Sequence, residues 1–403
     1  MMTKIANILL LLGMFCLLPA ASHADTFDEI VNRAVENSPL LQASDARMKA
    51  ELEGMKADNM LPDPEVEFER LWRSGEGENR WSIGLSQEIG WPGAYSARRK
   101  AAQSLNNAQK ALMASEIINE RLRASQLIVE IIAANKEIGV LSEINASMQR
   151  LREQYLRAWE HGETTILDVN KIKIEAVRAA TALEAARNRL RAATAELQSM
   201  AAVGTTTVTV PADLDFPRES LAGIDDYLTA LASSPELESL RRMAEMARNS
   251  VSVAKSTRFP GVSLGYRHAY EDGSHFNGFS IGLSLPVWSR SHSTESAAAT
   301  ELAARLDLTA RSVALETQLR ADHTNAISLR EQMQELGPVV DGVNNLTLLR
   351  KALDGGELSL LSYLQEVNYF LQARLDYLSL SKEYTLIALK LNSLLASADD
   401  TAF

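Results

Sequence analysis

From residue 80 to residue 91 apolar and polar side chains alternate. Trp81, Ile83, Leu85, Ile89 and Trp91 fall on one side, and Arg80, Ser82, Gly84, Ser86, Glu88 and Gly90 on the other. A period of two marks a strand lying between two unlike surroundings. Only Gln87 interrupts the apolar row. The pattern recurs at 276–288, where Phe279, Ile281, Leu283, Leu285 and Val287 alternate with Gly278, Ser280, Gly282 and Ser284. Each of these stretches follows a partner. In 65–73, Val66, Phe68 and Trp72 oppose Glu65, Glu67 and Glu69, with Arg70 on the apolar side, and further on Val262, Leu264, Tyr266, His268 and Tyr270 share one face. The segments SGEGEN (74–79) and EDGS (271–274) read as turns by composition. The chain thus carries two β-hairpins, 65–91 and 261–288, with strands of about 9–12 residues, long enough to cross a bilayer at a tilt.

Around the hairpins the period becomes helical. A helix over 26–60 breaks near Ser38-Pro39, where proline suits a first turn, and stops at Leu61-Pro62-Asp63-Pro64. After Pro92-Gly93 an Ala-rich, charged pattern runs to Glu160, and no further proline occurs before Pro211. At ~1.5 Å per residue such a helix is on the order of 100 Å long, which argues for coiled-coil packing. Beyond His161-Gly162 the return helix shows a seam at alternating spacings of three and four: Val169, Ile172, Ala176, Ala179, Leu183, Ala186, Leu190, Ala193 and Leu197. Alanine at every second seam position lets helices approach closely, as a sheet of helices rolled into a tube requires. The segment 204–217 links the halves. A helix over 221–257 then repeats the motif with Ser234-Pro235, Phe259-Pro260 stands in the place of Leu61-Pro62, and a second long helix over about 290–354 turns at Gly355-Gly356 and returns through 358–396. The chain is read as two tandem repeats, 25–220 and 221–403.

The first residues add a compartment. Lys4, an apolar run over 5–18, Pro19 and Ser22-His23-Ala24 predict a signal peptide over 1–24, too short for a stable membrane span. The single cysteine, Cys16, lies inside it, which leaves no disulfide framework and no cysteine-ligated metal site beyond it. A net charge of −11 makes nucleic acid a poor partner. No later stretch reaches ~18 consecutive apolar residues, so membrane insertion must use strands. In lipid an open sheet edge costs several kcal/mol per unsatisfied backbone group, and small barrels start at about eight strands. Four strands per chain therefore require copies to pool them. The polar faces would line a water-filled lumen, and the apolar faces, with Trp81, Trp91 and Trp288 near strand ends, would meet lipid.

No catalytic constellation is present: there is no phosphate-binding loop, no G-x-S-x-G elbow and no H-E-x-x-H. The chain reads as a non-enzyme without a cofactor. His161, His268, His275, His292 and His323 lack ligand-like spacing and read as scattered polar positions. Met48, Met55 and Met60 read as packing residues.

In order and motif, essentially the whole chain after the leader resembles the TolC family of outer-membrane efflux proteins. The likeness rests on the duplication, the LPDP and RFPG breaks before the hairpins, GLSQEIGWPG at the strand-to-helix junction, and the turns HGETTILDV (161–169) and GGELSLLSY (355–363). The resemblance implies a mixed membrane fold: long helical hairpins forming a periplasmic α-barrel, and four transmembrane strands per protomer contributing to a 12-stranded trimeric β-barrel. It implies a homotrimer in outer-membrane lipid, docked through a periplasmic adaptor (membrane fusion protein) onto an inner-membrane pump of the resistance-nodulation-division type. The SQE-x-x-WPG junction and the short chain are similar to the branch serving heavy-metal cation pumps; ducts for organic compounds or for protein secretion, and a periplasmic helical-hairpin adaptor, are the alternatives. By the same resemblance, Gly162, Glu163, Thr164, Ile166, Leu167, Asp168 and Val169, with Gly356, Glu357, Leu358, Ser359, Leu360 and Leu361, form the adaptor-docking tip. Asp168, Ser362, Gln365 and Glu366 are the candidate gate and lumen residues, with Leu353 and Leu358 where polar latch partners would stand.

Overall fold

In a computed structural model of the chain, residues 26–72, 74, 79–201, 207–286, 292–341 and 345–400 are described. The expected leader, most of the first hairpin turn, residues 202–206 of the linker, and Val287 and Trp288 lie outside them.

Helix α1 (Phe27–Val35) opens on a capping box: the Thr26 side chain accepts from the Glu29 N–H, and the Glu29 carboxylate accepts from the Thr26 N–H. After Ser38, Pro39 starts α2 (Pro39–Ala57), which buries none of its residues. Met48 and Met55 are only half-buried and Met60 is exposed, so these methionines do not form a core within the chain. Strands β1 (Glu65–Leu71) and β2 (Arg80–Ile89) follow, then α3 (Pro92–Glu160) and α4 (Ile166–Met200). At 69 residues, α3 is on the order of 100 Å long. The second half repeats the kinds of element in order: α5 (Ile224–Ala232), α6 (Pro235–Ser256), β3 (Gly261–Glu271), β4 (Ser274–Ser284), α7 (Ser293–Asp341), α8 (Asn345–Asp354) and α9 (Leu360–Asp400).

Three boundaries differ from expectation. Strand β4 ends at Ser284 rather than 288; Pro286, without an N–H, cannot extend a ladder. Trp72 lies one residue past the end of β1. The second long helix is described as α7 and α8, with 342–344 outside the described residues, and α7 contains Pro338.

The seam read from sequence is the packed face of α4: Val169, Ile172, Ala176, Ala179, Leu183, Ala186, Ala193 and Leu197 are all buried, and Leu190 is partly so. The core is distributed along the stem. One cluster joins α1, the middle of α3 and the end of α4 to Val208, with Val210, Leu214 and Phe216 packed against it. A corresponding cluster joins α5, α6, α7 and α9 around Tyr227, Leu319 and Leu391. A third, of Ile144, Met148, Leu151, Ile172, Leu360, Tyr363 and Leu364, ties the two helical hairpins together near their turns.

Candidate functional site: a two-faced sheet and two helical turns

The four strands form one antiparallel sheet in the order β1-β2-β3-β4, so the two hairpins join through β2 and β3. Its register sorts the side chains. Val66 pairs with Leu85, Leu85 with Tyr266, and Tyr266 with Phe279; Phe68 pairs with Ile83, and Leu264 with Ile281. This face is apolar and largely exposed in the single chain, with Phe279 at 89% and Ile281 at 77%. The opposite face carries rows of polar and small residues: Glu65, Ser86, Gly265, Ser280, and next to them Glu67, Gly84, Arg267, Gly278. The Arg267 guanidinium reaches Glu67 at 2.6 Å and Glu69 at 3.5 Å. It crosses over Gly84, where the absence of a side chain clears the path. Among the described residues, the outer edges of β1 and β4 have no partner strand.

Gln87, the interruption in the apolar row, is placed by hydrogen bonds: its Nε2 donates to the Pro62 carbonyl at 2.7 Å and to the Glu88 carbonyl at 2.9 Å. It ties β2 to the break preceding β1. At the junction with the stem, Trp91 stacks on Phe259 with centroids 5.0 Å apart, and the Gly90 N–H donates to the Tyr95 hydroxyl. A Cβ at Gly93 would lie 2.7 Å from the Trp91 ring nitrogen. The junction motif is thus a packed corner with Pro92 as the first helical residue of α3.

The two helical turns share one construction. At the end of α3, Gly162 has φ +75°, its N–H donates to the Trp159 carbonyl, and the Glu163 N–H donates to the Ala158 carbonyl. After α8, Gly356 has φ +73°, its N–H donates to the Leu353 carbonyl, and the Glu357 N–H donates to the Ala352 carbonyl. Both are Schellman ends, in which the left-handed glycine satisfies the final carbonyls. The next helices are capped alike. Thr165 accepts from the Asp168 N–H, and Ser359 accepts from the Ser362 N–H.

This geometry gives Asp168 and Ser362 a structural task. They are equivalent residues, each bonded to the hydroxyl that caps its own helix. The Thr165 hydroxyl donates to the Asp168 carboxylate at 2.8 Å, and Lys171 reaches it at 3.2 Å. These hydrogen bonds, Thr165 first, hold the Asp168 carboxyl below its ordinary value. Burial, and then the Asp168 charge, push the nearby Tyr155 hydroxyl up. Among the described hydrogen bonds none joins Asp168 to Ser362, Gln365 or Glu366. Gln365 and Glu366 are exposed on α9, and Glu366 lines an open cleft with Leu348, Tyr369 and Phe370.

Of the expected tip residues, Val169 and Leu360 are buried and pack within the chain. Gly162, Glu163, Gly356, Glu357 and Ser359 are exposed, and Thr164 and Leu358 are half-buried. Ile166 (44% exposed), Leu167 (68%) and Leu361 (54%) present apolar side chains outward at the start of α4 and α9. Leu353 packs against the cluster joining the hairpins, and the polar link there is a different one: Arg350 donates to Gln154 on α3 and to Asp354 at 3.0 Å.

One grouping was not expected. His268 and His275, read as scattered, lie together on the apolar face: His275 Nδ1 is 3.3 Å from His268 Nε2, and the rings stack. The signal was present in the turn. With Asp272-Gly273 as a two-residue loop at φ 46° and 76°, residue 270 must pair with 275 and 268 with 277, which makes the two histidines diagonal neighbours.

No family model matches the chain. Among curated proteins it is similar to "Outer membrane protein TolC" of Vibrio cholerae serotype O1, 24% identical over an alignment of 304 residues that covers 67% of this chain. The match spans 66% of that relative's length, about two thirds. Among solved structures it resembles the Campylobacter jejuni CmeC outer membrane channel, with a TM-score of 0.76 and 16% identity over 92% of this chain and 86% of that one. A membrane protein from Pseudomonas aeruginosa gives a TM-score of 0.75 at 15% identity, covering 92% of this chain and 90% of that chain. CusC gives 0.64 at 14%, covering 93% and 92%. The chain has the fold of these outer-membrane channels.

Proposed function

We propose that this chain is the outer-membrane exit duct of a tripartite efflux system, extending into the periplasm and conducting cargo without chemistry of its own. One observation carries the reading: a four-stranded sheet with two unlike faces and two unpaired outer edges stands on a helical stem on the order of 100 Å long. Such a sheet is viable in lipid only when its edges are paired by other copies. A homotrimer built on the two repeats supplies 12 strands, with Arg267 and the glutamates of β1 facing the lumen and Phe279 and Ile281 facing lipid. The exposed apolar residues Leu302, Leu306 and Val313 on α7 then become the seam between neighbouring stems.

The two turns are the docking tip for a periplasmic adaptor (membrane fusion protein), with Ile166, Leu167 and Leu361 as the apolar anchors between the exposed Glu163 and Glu357. Through the adaptor the duct couples to an inner-membrane pump of the resistance-nodulation-division type, which supplies the energy. Heavy-metal cations are the cargo the junction motif supports. Asp168, Ser362, Gln365 and Glu366 lie where the stem narrows toward the tip in this reading.

The experiment is the size of the detergent-extracted protein by light scattering, for the native chain and for L306E. A trimer from the outer-membrane fraction that L306E weakens is the expected result, and a monomer recovered without detergent would overturn the reading. Metal-sensitivity profiles of a deletion strain test the cargo: sensitivity to organic compounds alone would replace heavy-metal cations as the substrate class.

A further inference from the structure

We infer that the outer end of the sheet carries a zinc-class divalent cation site built from His268 and His275. Both residues flank the Asp272-Gly273 turn, on the face opposite Arg267. The site is therefore separate from the lumen face and independent of what the duct conducts.

Three observations converge. The first is the spacing. Two nitrogens bound at about 2.0–2.1 Å with a tetrahedral angle between them lie about 3.3 Å apart, and His275 Nδ1 is 3.3 Å from His268 Nε2. The pair therefore already stands at a separation that a tetrahedral cation can bridge.

The second is the tautomer. Asn277 Oδ1 lies 2.8 Å from His268 Nδ1 and 2.7 Å from the Tyr266 hydroxyl. A carbonyl oxygen only accepts, so His268 carries its proton on Nδ1 and presents a bare Nε2 lone pair toward His275. An imidazole N–H anchored to a carbonyl oxygen is the outer-shell arrangement that orients metal-ligating histidines.

The third is rigidity. His268 sits in the middle of β3, half-buried, with Trp81 packed 5.6 Å from it; Tyr270 lies 5.1 Å from His275. Before the cation arrives, His275 donates its Nδ1–H to His268 Nε2. On binding, His275 adopts the Nε2–H tautomer, its proton moving from Nδ1 to Nε2, which frees the Nδ1 lone pair for the cation. Among the described residues no cluster of three or more His, Cys, Asp or Glu forms a closed metal centre. The remaining coordination positions therefore belong to water, and the site is an open one.

The test is a calorimetric titration of the full chain in detergent with Zn2+ alone at neutral pH. One Zn2+ per chain is expected. H268A and H275A should weaken binding by at least about tenfold, and N277A, which removes only the anchor, by about 10–100-fold. H292A should leave it unchanged, although His292 lies 3.1 Å from Glu295. Equal zinc binding by the native chain, H268A and H275A would overturn the proposal, as would loss of binding in H292A alone or no binding by the native chain. Should H268A fail to assemble on a heat-modifiability gel, H275Q at the exposed position separates the same outcomes, because it removes one ligand and leaves the His268–Asn277 bond intact.

Discussion

The two glycines at the helical turns allow the cost of a backbone conformation to be isolated from packing. A Cβ added at Gly162 or Gly356 would meet nothing within 4 Å, so Gly→Ala at either creates no clash. The only penalty is φ, +75° and +73°, where an L-residue bearing a Cβ costs about 1–2 kcal/mol. Gly139, inside α3, is equally open but takes an ordinary helical conformation, and there alanine should stabilise by about 0.5–1 kcal/mol. The assay is amide hydrogen exchange on the Glu163 N–H, which donates to Ala158 at 2.8 Å and is released only when the turn opens. In G162A this amide should exchange roughly 5–30 times faster, the factor that one or two kcal/mol implies. G162N should fall in between, since asparagine visits the left-handed region more readily. G139A should slow exchange in its own part of α3 or leave it unchanged. Unaltered exchange at Glu163 in G162A would refute the account of the turn, and faster exchange in G139A would refute the claim that open space and φ are the deciding variables.

Other outcomes follow from the same geometry. Replacing Arg267 by glutamine leaves Glu67 and Glu69 uncompensated, so the reversal potential of the reconstituted channel should shift toward cation selectivity; a shift toward anions would place Arg267 on the wrong face. The carboxyl of Asp168 is held below its unfolded value, so it stabilises the start of α4 above about pH 3.9, and that contribution is lost as pH falls through the lowered folded value. D168N should therefore weaken exchange protection of that first turn at neutral pH and remove its dependence on acidification, measured relative to intrinsic exchange rates. Ala176 is fully buried on the α4 seam, and A176L should cost about 1–3 kcal/mol by overpacking, read as a lower dissociation temperature on a heat-modifiability gel.

Much of the architecture was legible because it rests on periodicity. The α4 seam from Val169 to Leu197 and the alternation from Trp81 to Ile89 are repeated over many residues, so no single departure obscures them. What escaped depended on single contacts. Gln87 breaks the apolar row because its amide serves the Pro62 carbonyl, a bond across 25 positions that no pattern encodes. Strand β4 stops short of the alternation that continues past it, since period alone cannot register that Pro286 lacks a donor. At the turns, the Gly-Glu repeats announced the bends, yet the pairing of Asp168 with Ser362 as equivalent capping residues required the backbone bonds of both Schellman ends. His268 and His275 lie seven positions apart and match no metal motif; only the two-residue loop brings them together.

The unpaired outer edges of β1 and β4 also bear on kinetics. A barrel of one chain can close in a first-order step after reaching the membrane. In the proposed trimer closure requires encounters between copies, so its rate should rise more steeply than linearly with protomer concentration and stall when synthesis is slow. During that wait an exposed edge invites pairing with any strand at hand. In the proposed trimer the β1 edge, whose Glu67 and Glu69 are engaged by Arg267, closes against β4 of the neighbouring copy, with its serines and glycines.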